Sequence, residues 1–152
     1  MRAIIAGVST PTPLEQIQIG PITTQDSEPL FRWFNDPQAA RLDYAWRPVD
    51  GISHQKWITS IGTDPTQIWF AIRRTGHAGI IGFVILRNIS AVHRSAELGV
   101  RIGEEGDRGR GAGKEATRQV LQFCWQAQFI DGEWKNVILM GALRPRVAAR
   151  GS

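Results

Sequence analysis

Three glycines fall within five residues of this chain, between a predicted strand and a predicted helix. They are the glycines of the segment Arg108–Gly113. Ahead of it, Ser95–Ile102 alternates apolar and polar side chains, which predicts a half-buried strand. Behind it, apolar residues recur at helical spacing at Ala116, Val120, Leu121, Cys124 and Ala127. Glycines let the main chain approach a ligand closely, and a helix start presents unpaired N–H groups. The segment therefore predicts a binding site for phosphate oxygens.

The spacing of these glycines narrows the kinds of phosphate ligand. It reads G-x-G-x-G, which differs from the G-x-G-x-x-G of dinucleotide-binding folds, and it lacks the Gly-Lys-Ser/Thr of P-loops. Arg108, Arg110 and Lys114 place positive charge beside the predicted site. The remaining charges are scattered, and the net charge is +4. We expect a small phosphorylated ligand. We expect no nucleic-acid partner, because a nucleic acid needs a basic stripe with interleaved aromatic residues and these charges are scattered.

The rest of the chain predicts an α+β domain, with a mixed but mainly antiparallel sheet flanked by helices. Apolar residues at helical spacing indicate two helices upstream of the glycine segment, and β-rich runs bounded by turn residues indicate further strands. In chain order we predict a strand ending near Pro21, a helix around Leu30–Phe34, a helix with Ser53 as its N-cap, a hairpin of Ile68–Arg73 with Gly79–Leu86, a loop at Asn88–His93, and a last strand at Trp134–Leu143.

Length and composition indicate one domain in a reducing compartment. The chain has 152 residues, 42% of them hydrophobic, which suffices for one core. Its single cysteine, Cys124, excludes an internal disulfide framework and a multi-cysteine metal site. No apolar run approaches the ~20 residues of a membrane helix, and the one near the N-terminus is too short for a secretory signal. We expect a cytoplasmic protein with no membrane partner, its domain spanning 15–144 between flexible segments 1–14 and 145–152.

The glycine segment and the order of the elements resemble the GNAT superfamily of N-acetyltransferases. The acetyl-CoA signature of that superfamily is Gln/Arg-x-x-Gly-x-Gly/Ala, and Arg108, Gly111 and Gly113 fill its three defined positions. A helix ending in Trp33–Pro37, a second helix that carries His54 and Trp57, and three following strands also match, over about residues 15–127. The segment His93–Gly99 resembles the branch that acetylates ribosomal-protein N-terminal alanines, and its aminosugar-acetylating relatives.

The resemblance implies an acyl-CoA N-acyltransferase fold that uses acetyl-CoA as cosubstrate, with no metal ion. Main-chain groups of the preceding strand, at Leu98, Val100 and Ile102, would pair with pantetheine and polarise the acetyl carbonyl. The implied reaction is direct attack on the thioester by a primary amine of a small molecule or peptide, such as a protein N-terminus or an aminosugar. The residues implied to hold the CoA diphosphate are Arg108, Gly109, Arg110, Gly111, Ala112, Gly113 and Lys114.

Direct attack needs a group that accepts the proton of the incoming amine. Glu97 is the first candidate, because it lies in the strand that would face the thioester. The alternative, weighted equally, is that Glu97 only faces the solvent and has no catalytic role. His54 is the second candidate, because imidazole titrates near neutral pH. The alternative for His54 is a surface residue or a contact to the substrate.

The chain departs from the superfamily pattern in its C-terminal half. The stretch Phe129–Leu143 resembles the last strand of the superfamily, so a β–α–β stretch of about 30 or more residues is predicted to be missing. That stretch often supplies a tyrosine that protonates the leaving thiolate, and the only tyrosine here, Tyr44, lies far upstream. A fold truncated in this way would leave a sheet edge uncovered. We therefore expect a homodimer, with exchanged C-terminal strands as one form, and a catalytically impaired CoA-binding or oligomeric remnant as the alternative to an active enzyme.

Overall fold

Seven strands and three helices form the part of the chain that the structure describes. This computed structural model describes residues 17–38 and 46–124, and the backbone of 125–126, 129–130, 133–134 and 138–139. The helices are α1 (Ser27–Phe34), α2 (Gly51–Ser60) and α3 (Ala112–Gln126). The strands are β1 (Ile17–Pro21), β2 (Ile68–Arg74), β3 (Ile80–Ser90), β4 (Ser95–Ile102), β5 (Phe129–Ile130), β6 (Glu133–Trp134) and β7 (Ile138–Leu139). The predicted terminal segments 1–14 and 145–152, and Tyr44, lie outside the described residues.

The main sheet has the strand order β1-β2-β3-β4-β7. The first four strands run antiparallel to their neighbours, and β7 pairs in parallel with β4. Because side chains alternate along a strand, each face of the sheet has its own core. On the α3 face, Ala116 and Val120 pack in one cluster with Val84. On the α1–α2 face, Leu30 packs in another with Phe83. The predicted α+β class, a mainly antiparallel sheet flanked by helices, is confirmed.

Helix α2 begins earlier than the sequence pattern predicts. Its N-cap is Asp50, whose carboxylate accepts hydrogen bonds from the N–H groups of Ile52 and Ser53, each at 3.0 Å. The Ser53 hydroxyl donates to the same carboxylate at 2.6 Å. The predicted cap at Ser53 is therefore wrong, because an aspartate three residues upstream satisfies the first free N–H groups of the helix.

Strand β3 runs into the segment predicted to be a loop. It continues to Ser90, and Ser90 pairs with Ser95 of β4. The register shifts between Arg87 and Ser90, where Asn88 adopts a positive φ of 52°. Asparagine tolerates this left-handed conformation better than most residues, so the strand absorbs an irregularity and continues beyond it.

The predicted last strand, Trp134–Leu143, is divided between two sheets. β6 pairs antiparallel with β5, whereas β7 pairs in parallel with β4 through Ser95 and Ala96. The prediction of one continuous strand is therefore wrong. Because β7 lies parallel to β4 and follows α3, the three elements form a β–α–β unit that places the start of α3 at one end of β4.

Gln119 of α3 pairs with the main chain of the edge strand β1. Its side-chain oxygen accepts from the Ile19 N–H at 3.1 Å, and its amide nitrogen donates to the Ile17 carbonyl at 2.6 Å. An edge strand otherwise presents such groups without partners. The amide therefore substitutes for a neighbouring strand and joins β1 to α3.

We expect Gln119→Leu to lower the free energy of unfolding by about 1–3 kcal/mol, because two part-buried main-chain groups lose their partner. Urea denaturation followed by circular dichroism measures the change. Gln122→Leu is the matched control, since Gln122 is exposed on the same helix and accepts one bond, from Arg118 at 3.2 Å. Equal losses in the two variants would contradict the stabilising role of the Gln119 bonds to β1.

Candidate functional site

The glycine turn, defined as residues 108–113, lies between the end of β4 and the start of α3. Gly109 and Gly111 have positive φ values of 74° and 83°, a conformation that favours glycine. The N–H of Glu115 donates to the Gly111 carbonyl at 3.0 Å, and this is the first bond of the helix. The N–H groups of Ala112, Gly113 and Lys114 precede that bond and have no intrahelical acceptor. The turn can therefore present several donors to one anion.

Gly113 brings the helix start close to β4. A Cβ atom at this position would lie 3.7 Å from Val100 Cγ2 and 3.8 Å from Ile102 Cγ1. Val100 is 43% exposed, so it has open space beside it. The structure thus brings the glycine turn together with Val100 and Ile102, two of the strand residues named for CoA binding.

Arg108 bonds to the main chain that leads into the turn. Its Nε donates to the Ile102 carbonyl at 3.2 Å, and its Nη2 donates to the Gly103 carbonyl at 3.0 Å. These bonds satisfy carbonyl groups at the end of β4 and fix the turn against it. Arg110 lies in the turn and Lys114 follows it, and both side chains are exposed. The three cationic side chains predicted at the site are therefore near the turn, and Arg108 also stabilises the end of β4.

Helix α1 holds the residues between β4 and the glycine turn. The Trp33 indole lies against Gly103, so closely that a Cβ on Gly103 would be 1.9 Å from Trp33 Cε2. Trp33 Nε1 donates to Glu104 at 3.0 Å, and the Gly103 N–H donates to the Ile81 carbonyl at 2.9 Å. The contacts of Trp33 join residues about 70 positions apart, and no spacing in the sequence indicates them. Sequence reasoning missed Trp33 and Glu104 as supports of the site.

A further ion pair lies on the α1–α2 face near the same end of β4. Arg101 Nη2 lies 3.4 Å from the Asp36 carboxylate, and both side chains are about one-quarter to one-third exposed (22% and 32%). Burial lowers the pKa of Arg101, and Asp36 acts in the opposite direction. The pair connects Asp36, two residues after the end of α1, to β4 and helps to hold this region together.

Glu97, the first candidate for the proton acceptor, lies at the opposite end of β4 from the glycine turn. Its carboxylate accepts from Asn88 Nδ2 at 2.9 Å and from Arg87 Nε at 3.0 Å, and the side chain is 52% exposed. The hydrogen bond from Asn88 and the pairing with Arg87 lower the pKa of Glu97. A general base works best with a pKa near the operating pH, so these partners disfavour that role.

His54, the second candidate, is buried between α1 and α2. Only 3% of the residue is exposed, so the alternative of a surface residue is wrong. Its Nε2 lies 2.9 Å from the Ser27 carbonyl, and its ring contacts Phe31 with centroids 5.1 Å apart. Nδ1 is buried with no hydrogen-bond partner among the described residues. Through its contacts with Ser27 and Phe31, His54 of α2 packs against α1.

We expect His54→Leu to lower the free energy of unfolding by about 1–3 kcal/mol, because the Ser27 carbonyl loses a buried partner. Turnover per folded molecule should change little. Urea denaturation and steady-state kinetics on the same preparation separate the two effects, with His77→Leu in an exposed turn as the control. A large fall in kcat at unchanged stability would instead indicate a catalytic histidine.

Cys124 packs on the α3 face as a partly buried member of the core. Burial raises the pKa of its thiol, which disfavours the reactive thiolate.

Within the described residues there is no group of three or more His, Cys, Asp or Glu side chains placed to hold a metal ion. Among the described helices, none has both the length and the apolar character needed to cross a membrane.

Comparison with known proteins gives one family and a consistent set of folds. Residues 16–141 match the family model described as "Acetyltransferase (GNAT) domain". A comparison with curated proteins finds no match. Among solved structures, the chain is similar to a domain from Methanocaldococcus jannaschii, at 23% identity and a TM-score of 0.62, covering 74% of this chain and 71% of that one.

Two solved acetyltransferases share the fold at lower identity. One is a spermidine N-acetyltransferase from Vibrio cholerae, solved with CoA and spermine, at 18% identity and a TM-score of 0.62, covering 73% of this chain and 64% of that one. The other is an acetyltransferase from Thermus thermophilus, at 17% identity and a TM-score of 0.56, covering 72% and 70%. The chain thus spans less than two-thirds of the length of the Vibrio cholerae protein.

Proposed function

Because the chain belongs to the GNAT acetyltransferase family, we propose that it transfers the acetyl group of acetyl-CoA to a primary amine. The observation that carries this proposal is that the start of α3, with its free N–H groups as the first set and the β4 main chain as the second, packs against β4. A Cβ atom on Gly113 would lie 3.7 Å and 3.8 Å from the side chains of Val100 and Ile102. Diphosphate would bind the first set, and the pantetheine arm would run along β4.

The outer edge of β4 supports this placement of the pantetheine arm. β7 pairs with β4 only through Ser95 and Ala96, so the stretch from Glu97 to Ile102 has no strand partner on that side among the described residues. The free N–H and C=O groups of a strand edge can pair with an extended chain that carries amides. Pantetheine is such a chain, and its thioester end would then lie along β4, on the side away from the glycine turn.

The proposed chemistry is direct transfer. The neutral amine attacks the acetyl carbonyl carbon, a C–N bond forms, the C–S bond breaks, and the CoA thiolate leaves. The amine loses one proton to an acceptor and the thiolate gains one. A main-chain N–H of β4 can stabilise the oxyanion of the intermediate. Glu97 remains the candidate acceptor by resemblance, although its pairing with Arg87 and Asn88 would have to loosen when substrates bind.

A CoA-binding protein with impaired turnover is the second candidate function. It is supported by the two partners that already occupy Glu97, and by the C-terminal deletion, which remains a prediction. The two functions differ in one measurement. Both require CoA to bind at the glycine turn, but only the enzyme releases free thiol from acetyl-CoA when an amine is present.

The test combines calorimetric titration with CoA and a free-thiol assay on acetyl-CoA. The amines are a peptide with N-terminal alanine and glucosamine, for the two proposed branches, and spermidine, because a similar structure was solved with spermine. Amine-dependent thiol release establishes the enzyme and selects the substrate class. Binding without release supports the second function, and the absence of CoA binding contradicts both.

The proposed assembly is a homodimer, with exchanged C-terminal strands as one form. The short pairing of β7 with β4 is the supporting observation, because in the described part of the chain no strand pairs with the rest of β4 on that side, which could accept a ligand or a second copy. Sedimentation at micromolar concentration, with and without CoA, measures the mass. A monomer under both conditions would contradict the dimer.

The proposed location of the protein is the cytoplasm, and cell fractionation tests it.

A further inference from the structure

The segment that holds the proposed diphosphate site is itself acidic. Residues 103–115 contain four carboxylates and three cationic side chains, so their net charge is −1. The carboxylates belong to Glu104, Glu105, Asp107 and Glu115. A diphosphate carries negative charge of its own, and like charges repel over distances of about one Debye length, roughly 10 Å at 0.1 M salt. The carboxylates therefore oppose the attraction that the helix start, Arg108, Arg110 and Lys114 exert on a diphosphate.

Three of these four carboxylates are paired with arginines from outside the segment. Glu104 lies 2.6 Å from Arg32 Nη1, on α1. Asp107 lies 2.5 Å from Arg74 Nη2, at the end of β2, and both of these side chains are 15% exposed. Glu115 is held by Arg118 through two contacts, at 2.6 Å and 2.9 Å. With the three arginines counted, and with Glu28, which lies 3.6 Å from Arg32 Nε, the local net charge changes from −1 to +1.

We propose that Arg32, Arg74 and Arg118 set the affinity for CoA by neutralising Glu104, Asp107 and Glu115, without touching the ligand. The inference deepens the proposed function and rests on it, because it takes the glycine turn as the diphosphate site. The arginines are positioning and charge-balancing residues. Arg32 lies on α1 and Arg74 on β2, whereas Arg118 lies three residues after Glu115 on α3, so all three arginines lie outside the glycine turn.

Arg118 gives the cleanest test of the three. Its side chain is 61% exposed, and its partner Glu115 is 36% exposed, so loss of this surface pair costs the fold little. Glu115 lies in the first turn of α3, next to the proposed diphosphate site. The hydrogen bonds from Arg118, chiefly, and from Gln119 lower the pKa of Glu115 to about 2, so the carboxylate is charged in every neutral buffer. Removing Arg118 therefore exposes a full negative charge.

The experiment measures the dissociation constant of CoA by calorimetry for the parent chain, Arg118→Gln and the double variant Glu115→Gln/Arg118→Gln. We expect Arg118→Gln to weaken CoA binding roughly fivefold at about 20 mM salt, and much less at about 0.5 M, because salt screens the charge. The double variant should return to within about twofold of the parent, because the unpaired carboxylate is gone. Lys56→Gln, which removes an equal charge from an exposed site on α2, should leave the constant unchanged.

The outcomes separate this inference from the function on which it rests. A parent chain that fails to bind CoA overturns the proposed function and the inference together. A parent that binds CoA, with Arg118→Gln binding equally well at low salt, overturns the inference alone. So does a double variant as weak as Arg118→Gln, since that result would mean that Arg118 acts through direct contact or through folding.

Discussion

Gly103→Ala is expected to lower the free energy of unfolding by about 3 kcal/mol or more, because the new methyl group would overlap a buried indole. An ideal Cβ on Gly103 lies 1.9 Å from Trp33 Cε2 and 2.1 Å from Cζ2, far inside van der Waals contact. Trp33 is 3% exposed and packs in the core of the α1–α2 face, so the ring has little freedom to move away. Overpacking of this kind costs about 1–3 kcal/mol and sometimes more. Urea denaturation gives the value.

Two further variants make the Gly103 result specific. Gly106→Ala places the same methyl group three residues later, where nothing lies within 4 Å of its Cβ, and should change the free energy of unfolding by less than about 0.5 kcal/mol. In a Trp33→Ala background the space opposite Gly103 is vacant, so Gly103→Ala should cost much less there. If it costs the same in both backgrounds, the indole is not the cause of the destabilisation.

Gly113→Val is expected to weaken CoA binding by about a hundredfold, or to abolish it, while the chain still folds. An added Cβ meets only Val100 and Ile102, at ordinary contact distances, so Gly113→Ala fits without strain. Valine adds two methyl groups between the start of α3 and β4, where the diphosphate and the pantetheine arm are proposed to meet. Loss of two hydrogen bonds to a charged group, at about 1.5–3 kcal/mol each, corresponds to that change in affinity.

Calorimetric titration with CoA measures the Gly113 effect, and Gly106→Val serves as its control. Gly106 is exposed and lies outside the glycine turn, so this variant should bind CoA like the parent. Thermal denaturation without ligand checks that each variant is folded. Unchanged affinity in a folded Gly113→Val variant would show that CoA binds elsewhere, and would remove the main observation behind the proposed function.

The predicted elements that the structure confirms are those whose evidence is local. The alternation in Ser95–Ile102 predicted β4, and the helical spacing that includes Ala116 and Val120 predicted α3. The glycines between them predicted a tight turn, and Gly109 and Gly111 do adopt positive φ. Such patterns are readable because side-chain periodicity follows directly from backbone geometry. The ends of the elements were less predictable. The N-cap of α2 is Asp50 and not Ser53, and β3 continues through Asn88, where a loop was predicted.

The candidate site was only partly predictable for the same reason. The turn and its cations stand together in the sequence, so the resemblance could identify them. The residues that hold the turn in place are far from it in the sequence. Trp33 and Arg32 come from α1 and contact Glu104, and Arg74 comes from β2 and contacts Asp107. His54 shows the same limit, since its residue type suggested proton transfer and the structure buries it against Phe31.

The sequence by itself determined the strand, glycine turn and helix of the site, because each depends on neighbours a few residues away. Only the tertiary structure decided that Arg32 and Arg74 pair with Glu104 and Asp107, that Gly103 has no room for a methyl group, and that His54 is buried. Those properties depend on contacts between residues tens of positions apart, and a contact of that kind leaves no periodic trace in one sequence. The glycine turn was therefore visible before the structure was known, and its supports were not.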